Sequence, residues 1–393
     1  MLDAAKRLLL TRPSARSDVP PFMAMDVVAA AARIEERGGR VVHMEVGQPA
    51  APAPSTALAA ARAALGGRIA YTEALGIMPL RRRIAAYYAE RHKVEVAPER
   101  IVVTTGSSMG FMLAFMAMFE PGDRVAVAVP GYPPYRNILK ALGCEPVAIE
   151  TNAATRWAVT GEALLAAHRA SPLKGVLVAS PANPTGTMMS AQALADLVAA
   201  AEEAGVRVIS DEIYHGLDYA FAAETAARLS DRAVIINSFS KYFCMTGWRV
   251  GWMVVPEPLV RPIERLQQNL AISVPALSQI AAAAAFDGRE EMEAVRHGYE
   301  ENRRLLIERL PRAGLDTFLP VDGAFYLYAD VSRFTNDSLE FTWRLLNEAG
   351  VAATPGVDFD PVDGRHFVRF CYAGSLADMG EAVERIGDWL KRG

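Results

Sequence analysis

The stretch AVIINSFSKYFCMTGWRVGWMVV (233–255) sets two strand-length apolar runs, AVIIN and RVGWMVV, around a polar turn that holds Lys241. Continuous apolar runs of this length, rather than alternating ones, read as strands buried on both faces. Working outward, similar runs stand at 101–104 (IVVT), 124–129 (RVAVAV), 145–149, 175–179 (GVLVA) and 206–210 (VRVIS). Helix-like stretches or Gly/Pro loops separate most of them. Strands alternating with helices predict an α/β fold, with a mostly parallel seven-stranded sheet sandwiched by helices.

Beyond 255 the pattern changes. Pro256 and Pro258 open a helical region over 256–310, rich in Ala, Arg and Glu. GAFYLYADV (323–331) and HFVRFCYAG (366–374) then read as antiparallel strands, with a helix at 338–349 between them. That is the signature of a smaller α+β domain. At the other end, Pro20-Pro21 precedes a helix that Gly38-Gly39 closes. We expect an arm and helix over 1–45 that join the small domain, a large domain over 46–290, and a small C-terminal domain over 291–393.

The chain has 393 residues, 51% hydrophobic and 22% charged, which excludes a disordered protein. Its 41 basic and 45 acidic residues give a net charge of −4. No basic excess is left to neutralise a nucleic-acid backbone. Cys144, Cys244 and Cys371 are odd in number and far apart, so they form no disulfide framework, and a reducing cytoplasmic setting is expected. The six histidines show no metal-ligand spacing. The start MLDAAKRLLLTRP has only three consecutive leucines, too short a run for a signal peptide. The uncharged stretch from Ile101 to Phe119 is broken by TTGSS and reads as strand, turn and buried helix rather than a membrane span.

Four segments carry chemistry. In TTGSSMG (104–110) a strand gives way to a helix whose first amides and two hydroxyls make an anion cradle. The same serines also suit plain helix capping. SPANPTG (180–186) follows the strand GVLVA, at the carboxyl end where ligands bind in α/β sheets, and it also suits a simple turn. In VRVISDEIYHGL (206–217), Asp211 ends an apolar strand. A carboxylate there is costly unless paired, and a protonated ring nitrogen would stabilise it; capping the next helix is the other use. Lys241, flanked by apolar residues at another strand end, is suited to forming an imine.

The ordered set GSSxG, SPxNPTG, DEIYxxL, SFSK and GWRVG resembles the pyridoxal-phosphate-dependent aminotransferases of the aspartate aminotransferase type (class I/II, fold type I). EVGQP (45–49), YTEALGIMPLR (71–81), PGYPPYRN (130–137), GAFYLY (323–328) and the arginine of FVRFCYAG extend the resemblance over nearly the whole chain. It implies a large domain that binds pyridoxal 5'-phosphate and a transaminase that moves an amino group between an L-amino acid and a 2-oxo acid. It further implies ping-pong turnover with 2-oxoglutarate/glutamate as one pair, and a homodimer with shared active sites.

Residue by residue, the resemblance implies that Lys241 forms the internal imine and then moves the proton at substrate Cα. Asp211 would pair with the pyridinium nitrogen. Asn183 and Tyr214 would donate to the ring's phenolic oxygen. Ser107, Ser108, Ser238 and Arg249 would bind the phosphate, with Tyr71 reaching the partner's phosphate. Tyr132 would stack on the ring or serve as a turn aromatic. Ser240 could simply cap a helix. Arg369 would take the substrate α-carboxylate, or else form a structural ion pair, and Gly47 would close over the substrate. The segment Gly106–Gly110 lacks the lysine that some aspartate-specific relatives place there. With Met109 and Phe111 beside it, a pocket for neutral or aromatic side chains is expected. A β-lyase on the same fold would share Lys241 and Asp211. A ligand-sensing regulator would need a basic DNA-binding domain, and only about forty residues precede EVGQP.

Overall fold

The computed structural model describes residues 10–392. The opening MLDAAKRLL lies outside them. Among the described residues twelve strands are assigned in chain order: β1 Val42–His43, β2 Ile101–Thr104, β3 Arg124–Val129, β4 Glu145–Glu150, β5 Gly175–Ala179, β6 Arg207–Asp211, β7 Val234–Ser238, β8 Gly251–Val254, β9 Tyr326–Asp330, β10 Val351–Ala352, β11 Thr354–Pro355 and β12 Phe367–Cys371.

Seven strands form one sheet in the order β2-β8-β7-β6-β5-β3-β4. Every neighbouring pair is parallel except the two that involve β8. The exception follows from chain length. Parallel neighbours need a crossover, usually through a helix, whereas the twelve residues 239–250 between β7 and β8 hold no α-helix and β8 returns antiparallel. The apolar runs are continuous because both faces are covered. On β5, Val176 and Val178 join one core and Leu177 the other; on β7, Ile235 faces the first and Val234 and Ile236 the second. Helix Gly106–Met118 is apolar all round and buries Phe111, Leu113, Ala114, Phe115 and Met118, as a helix inside the fold must.

The expected helical region 256–310 resolves into helices Glu257–Leu270, Ala276–Ala285 and Arg289–Ala313. The C-terminal strands pair antiparallel in the order β11-β12-β9, with Arg369 opposite Tyr328 and Thr354. The segment after β1 is threaded beside them: β1 pairs with β10, and Cys371 N donates to Met44 O at 2.7 Å. This seats Gly47 near Arg369. Helix Met23–Glu35 packs Val27, Ala30 and Ala31 against Leu346 and Ala352. Asp358 accepts from Ala24 N at 3.2 Å, placing a carboxylate at that helix's positive end.

Arg249 corrects one expectation. It does not begin a strand. It stands in the left-handed region at φ 49°, after the turn Thr246–Trp248 and before β8. There its guanidinium meets the start of helix Gly106–Met118. A Cβ on Gly106 would lie 2.3 Å from Arg249 Nη2, and Gly106 itself has φ +71°. Only glycine meets both demands.

Ile235 sits at 0% exposure in an inner strand. Ile235→Ala should lower unfolding stability by about 2–5 kcal/mol, the range for deleting a buried isoleucine's branches. Urea unfolding measures it; a loss below about 1 kcal/mol would mean the core relaxes around the gap.

Candidate active site

The strands β2, β3, β5, β6 and β7 all end at one rim of the sheet, and the loops that follow them surround a cavity of about 170 Å³. Ten of the residues singled out above line it: Gly47, Ser107, Ser108, Tyr132, Asn183, Tyr214, Ser240, Lys241, Arg249 and Arg369. Asp211 and Ser238 stand behind its wall. Tyr71 lies elsewhere, on the surface, 81% exposed.

One side of the cavity is built for an anion. The residue before helix Gly106–Met118, Thr105, makes no side-chain capping bond, so neither serine nor threonine closes the helix start. Ser107, Ser108, Ser240, Thr246 and Arg249 gather there. Ser238 reaches this group only through Ser240: its hydroxyl donates to Ser240 Oγ at 2.9 Å and accepts from Ser240 N at 3.1 Å.

The opposite side is built around Arg369, which is 1% exposed. Its Nη1 donates to Asn183 Oδ1 at 2.8 Å; its Nη2 donates to Thr354 Oγ1 at 3.0 Å and to Glu45 O. Its charge lies over the rings of Tyr326 and Phe359, at 4.5 and 4.7 Å. None of these partners is a carboxylate, and Arg369 Nε is buried without a partner. A structural ion pair is therefore not what holds it. A guanidinium in this state fits a carboxylate that arrives with a ligand.

Between the two sides, Lys241 Nζ donates to Gly47 O at 2.6 Å and lies near the faces of Tyr214 and Phe325. Gly47 is required by close approach: a Cβ there would fall 1.7 Å from Tyr326 Oη. Asp211 is 2% exposed. Ile213 N donates to its Oδ1 at 3.1 Å, and Tyr135 Oη donates to its Oδ2. Both partners are neutral, and Asp211 caps no helix; Thr225 caps the next one.

These observations agree with comparisons to known proteins. A family model described as "Aminotransferase class I and II" matches residues 40–386. The valine–pyruvate aminotransferase of Mycobacterium tuberculosis is 50% identical over 384 residues, covering 96% of this chain and 98% of that protein.

The chain belongs to the class I and II aminotransferases.

A crystal structure of an aminotransferase from M. tuberculosis superposes with a TM-score of 0.94 at 50% identity, covering 97% of this chain and all of that one. The aspartate aminotransferase of Thermus thermophilus with maleate gives 0.87 at 30% identity, covering 99% and 100%. The protein is an aminotransferase with the aspartate aminotransferase fold. Among the described residues no helix is long and apolar enough to cross a membrane.

One sequence reading needs revision in this aminotransferase. Met109 and Phe111 do not line the cavity; Phe111 is 1% exposed and packs on Phe115 and Tyr135. The apolar wall comes instead from Phe22, Val46, Ile213 and Tyr326. Phe22 meets Tyr132 edge-on at 5.7 Å. Other site residues went unread. Tyr135 stands three residues after Tyr132, spacing that puts both on one helical face, and that signal was present in PGYPPYRN. Thr246 lies inside the stretch 233–255, just before GWRVG. Nothing in the sequence marks Phe22, which depends on how the N-terminal arm is laid down.

Electrostatics set the two central groups. Burial pushes Asp211 up to about 6, against the opposing pull of Tyr135, Ile213 N and Lys241. Burial, helped by Arg369 and Arg249, pushes the Lys241 ammonium down to about 8, with Cys371 and Asp211 opposing. A lysine depressed this way is a neutral nucleophile at mildly alkaline pH. In cofactor-free protein, acylation of Lys241 should therefore rise through a midpoint near pH 8. Competitive labelling with mass-spectrometric readout checks this; a midpoint near the ordinary lysine value of about 10.4 would contradict it.

Proposed function

We propose that this aminotransferase uses pyridoxal 5'-phosphate to transfer the amino group of a neutral, apolar L-amino acid to a small 2-oxo acid by a ping-pong mechanism. The observation that carries the substrate reading is the cavity's cation inventory. Its Lys and Arg lining residues are Lys241, Arg249 and Arg369, and each has a use. Among the described residues no further cation lines the cavity to take a side-chain carboxylate, and the remaining wall includes Phe22, Val46, Ile213 and aromatic rings.

The donor set fits the cofactor. Arg249, Ser107, Ser108, Ser240 and Thr246 would hold the phosphate, with Ser238 orienting Ser240. Asp211, buried with two neutral partners, is a carboxylate for which a cationic ring nitrogen is the missing counter-charge. Tyr132 offers an aromatic face. Asn183 gives its Oδ1 to Arg369, which leaves its NH₂ group to donate to the ring oxygen. Tyr214, hydrogen-bonded to Tyr326 at 2.7 Å, is the second donor there. Pyridoxal phosphate, when bound, supplies an aldehyde that takes up the amino group and a cationic ring that accepts the electron pair released at substrate Cα.

The chain's own groups do the rest. Lys241 would carry the cofactor covalently and, as a free amine, move the proton at Cα, held there as a positioned base. Arg369 would fix the α-carboxylate. Gly47 and Phe22 would close over the substrate and exclude water. The division into 1–45, 46–290 and 291–393 belongs to this reading: the middle segment brings Gly47 to Arg249, and the last brings Arg369. A homodimer belongs to it too. Exposed Tyr71 and Ile69 lie next to exposed Leu270 and Ile272, joined by Thr72 N donating to Ser273 Oγ at 3.4 Å, which suits an apolar face covered by a second copy. The cysteines are all free and buried, consistent with a cytoplasmic setting.

A donor screen against pyruvate and 2-oxoglutarate tests the reading. Valine, alanine and other neutral donors should outperform aspartate. With pyruvate as acceptor the product is alanine; the 2-oxoglutarate/glutamate pair, usual for the resemblance, is the second arm. Arg369→Lys should lower kcat/KM by a similar factor for every donor, roughly 10- to 100-fold, because lysine lacks the bidentate fork. Aspartate far ahead of all neutral donors, or a loss confined to dicarboxylates, would overturn it.

A further inference from the structure

Beneath the cavity floor lies a buried cluster of His215, His92 and Glu212, exposed by 2%, 4% and 1%. His215 follows Tyr214 directly, and its Nε2 is 3.1 Å from Ser180 O. A carbonyl only accepts, so Nε2 must carry the hydrogen. Burial pushes His215 down to about 3 and His92 down to about 2, so both rings are neutral near physiological pH. A neutral ring protonated at Nε2 leaves Nδ1 as an acceptor. That atom faces His92 Nε2 at 3.5 Å and Glu212 Oε2 at 3.4 Å.

Glu212 is itself engaged by Thr225, Ala226 N and Ser210. The cations nearest the cluster are spoken for: Arg91 pairs with Asp218 at 2.6 Å, and Arg228 pairs with Glu224 at 2.9 Å and donates to His92 O. The cluster reaches the loop that carries Asn183 through the bond from His215 to Ser180.

That bond joins two loops of different strands. Ser180 heads the loop that carries Asn183, after β5. His215 lies in the turn that carries Tyr214, just after β6 ends at Asp211, a turn that also bonds His215 N to Glu212 O at 3.0 Å. The strands' own ladder is already weak at this level, where Ser180 N reaches Asp211 O at 3.4 Å. Asn183 in turn supports Arg369.

We infer that His215 is a positioning residue for transamination: its Nε2–H bond to Ser180 O sets Asn183, and through it Arg369, in register with Asp211 and Tyr214. The effect on the reaction rests on the roles given to Asn183 and Arg369 above; the ring's tautomer does not. The two can therefore fail separately.

The test compares His215→Leu, which removes the donor, with His215→Gln, whose amide Nε2 reaches the same distance along the side chain. In loaded enzyme without substrate, the pH midpoint of the visible cofactor band reports donors at the ring oxygen. It should move by about one unit in His215→Leu and return toward wild type in His215→Gln. The kcat/KM for the best donor should fall roughly 10- to 100-fold and recover with glutamine. Nitrogen-15 NMR of histidine-labelled wild type should show His215 protonated at Nε2. A folded His215→Leu with unchanged band midpoint and kcat/KM overturns the inference. So does a wild-type His215 protonated at Nδ1 alone, which decides the matter even where the leucine variant does not fold.

Discussion

A carboxylate is buried at the end of an inner strand with no ion-pair partner among the described residues. Asp211 has a phenol and a backbone amide for partners, and burial alone drives it toward the neutral form. Such a group is destabilising unless something cationic is brought to it. Its position, at the carboxyl edge of the sheet where several loops converge, is the point a ligand would reach. Much of the site can be understood as the apparatus that brings a cation there and holds it. In the proposed reading an anion cradle would grip one end of the ligand, Lys241 would tether it, and Asp211 would keep its ring charged.

Two close approaches make that apparatus possible. Arg249 takes a left-handed backbone so that its guanidinium fits against Gly106, where any side chain would collide with it. Gly47 lies against Tyr326, where a single methyl group would displace the phenol that bonds Tyr214. In both cases the absence of a side chain on one segment places a functional group from another. Arg369 follows the opposite logic: it is surrounded by neutral acceptors and aromatic faces, so its charge is stabilised without being neutralised and remains available to a carboxylate.

The seven-stranded sheet was legible because burial on both faces leaves unbroken apolar runs, and much of the candidate site was legible because Asn183, Asp211 and Ser238 fall at or just beyond the ends of those runs. The antiparallel C-terminal pair was visible in GAFYLYADV and HFVRFCYAG, whose pairing puts Arg369 beside Tyr328. What escaped reading depends on contacts between distant segments. Phe22 reaches the cavity through contacts with distant segments: Asp358, more than three hundred residues away, holds the helix that follows it, and Tyr132 meets its ring. Met109 and Phe111 were misplaced for a different reason. They follow the cradle in sequence, but a helix turns by about 100° per residue, and Phe111 points into the core. His215 looked like part of a motif's tail; its role is visible only in the bond to Ser180.

The central claim is that Asp211 keeps the bound cofactor's ring nitrogen protonated. The most direct measurement is the nitrogen-15 chemical shift of ring-labelled pyridoxal phosphate bound to the protein at neutral pH. The wild-type enzyme should show a protonated pyridinium nitrogen, and Asp211→Ala, still carrying cofactor, an unprotonated one. The same shift in both proteins would contradict the account, because Asp211 would then be a structural carboxylate and the cation it requires would have to come from elsewhere.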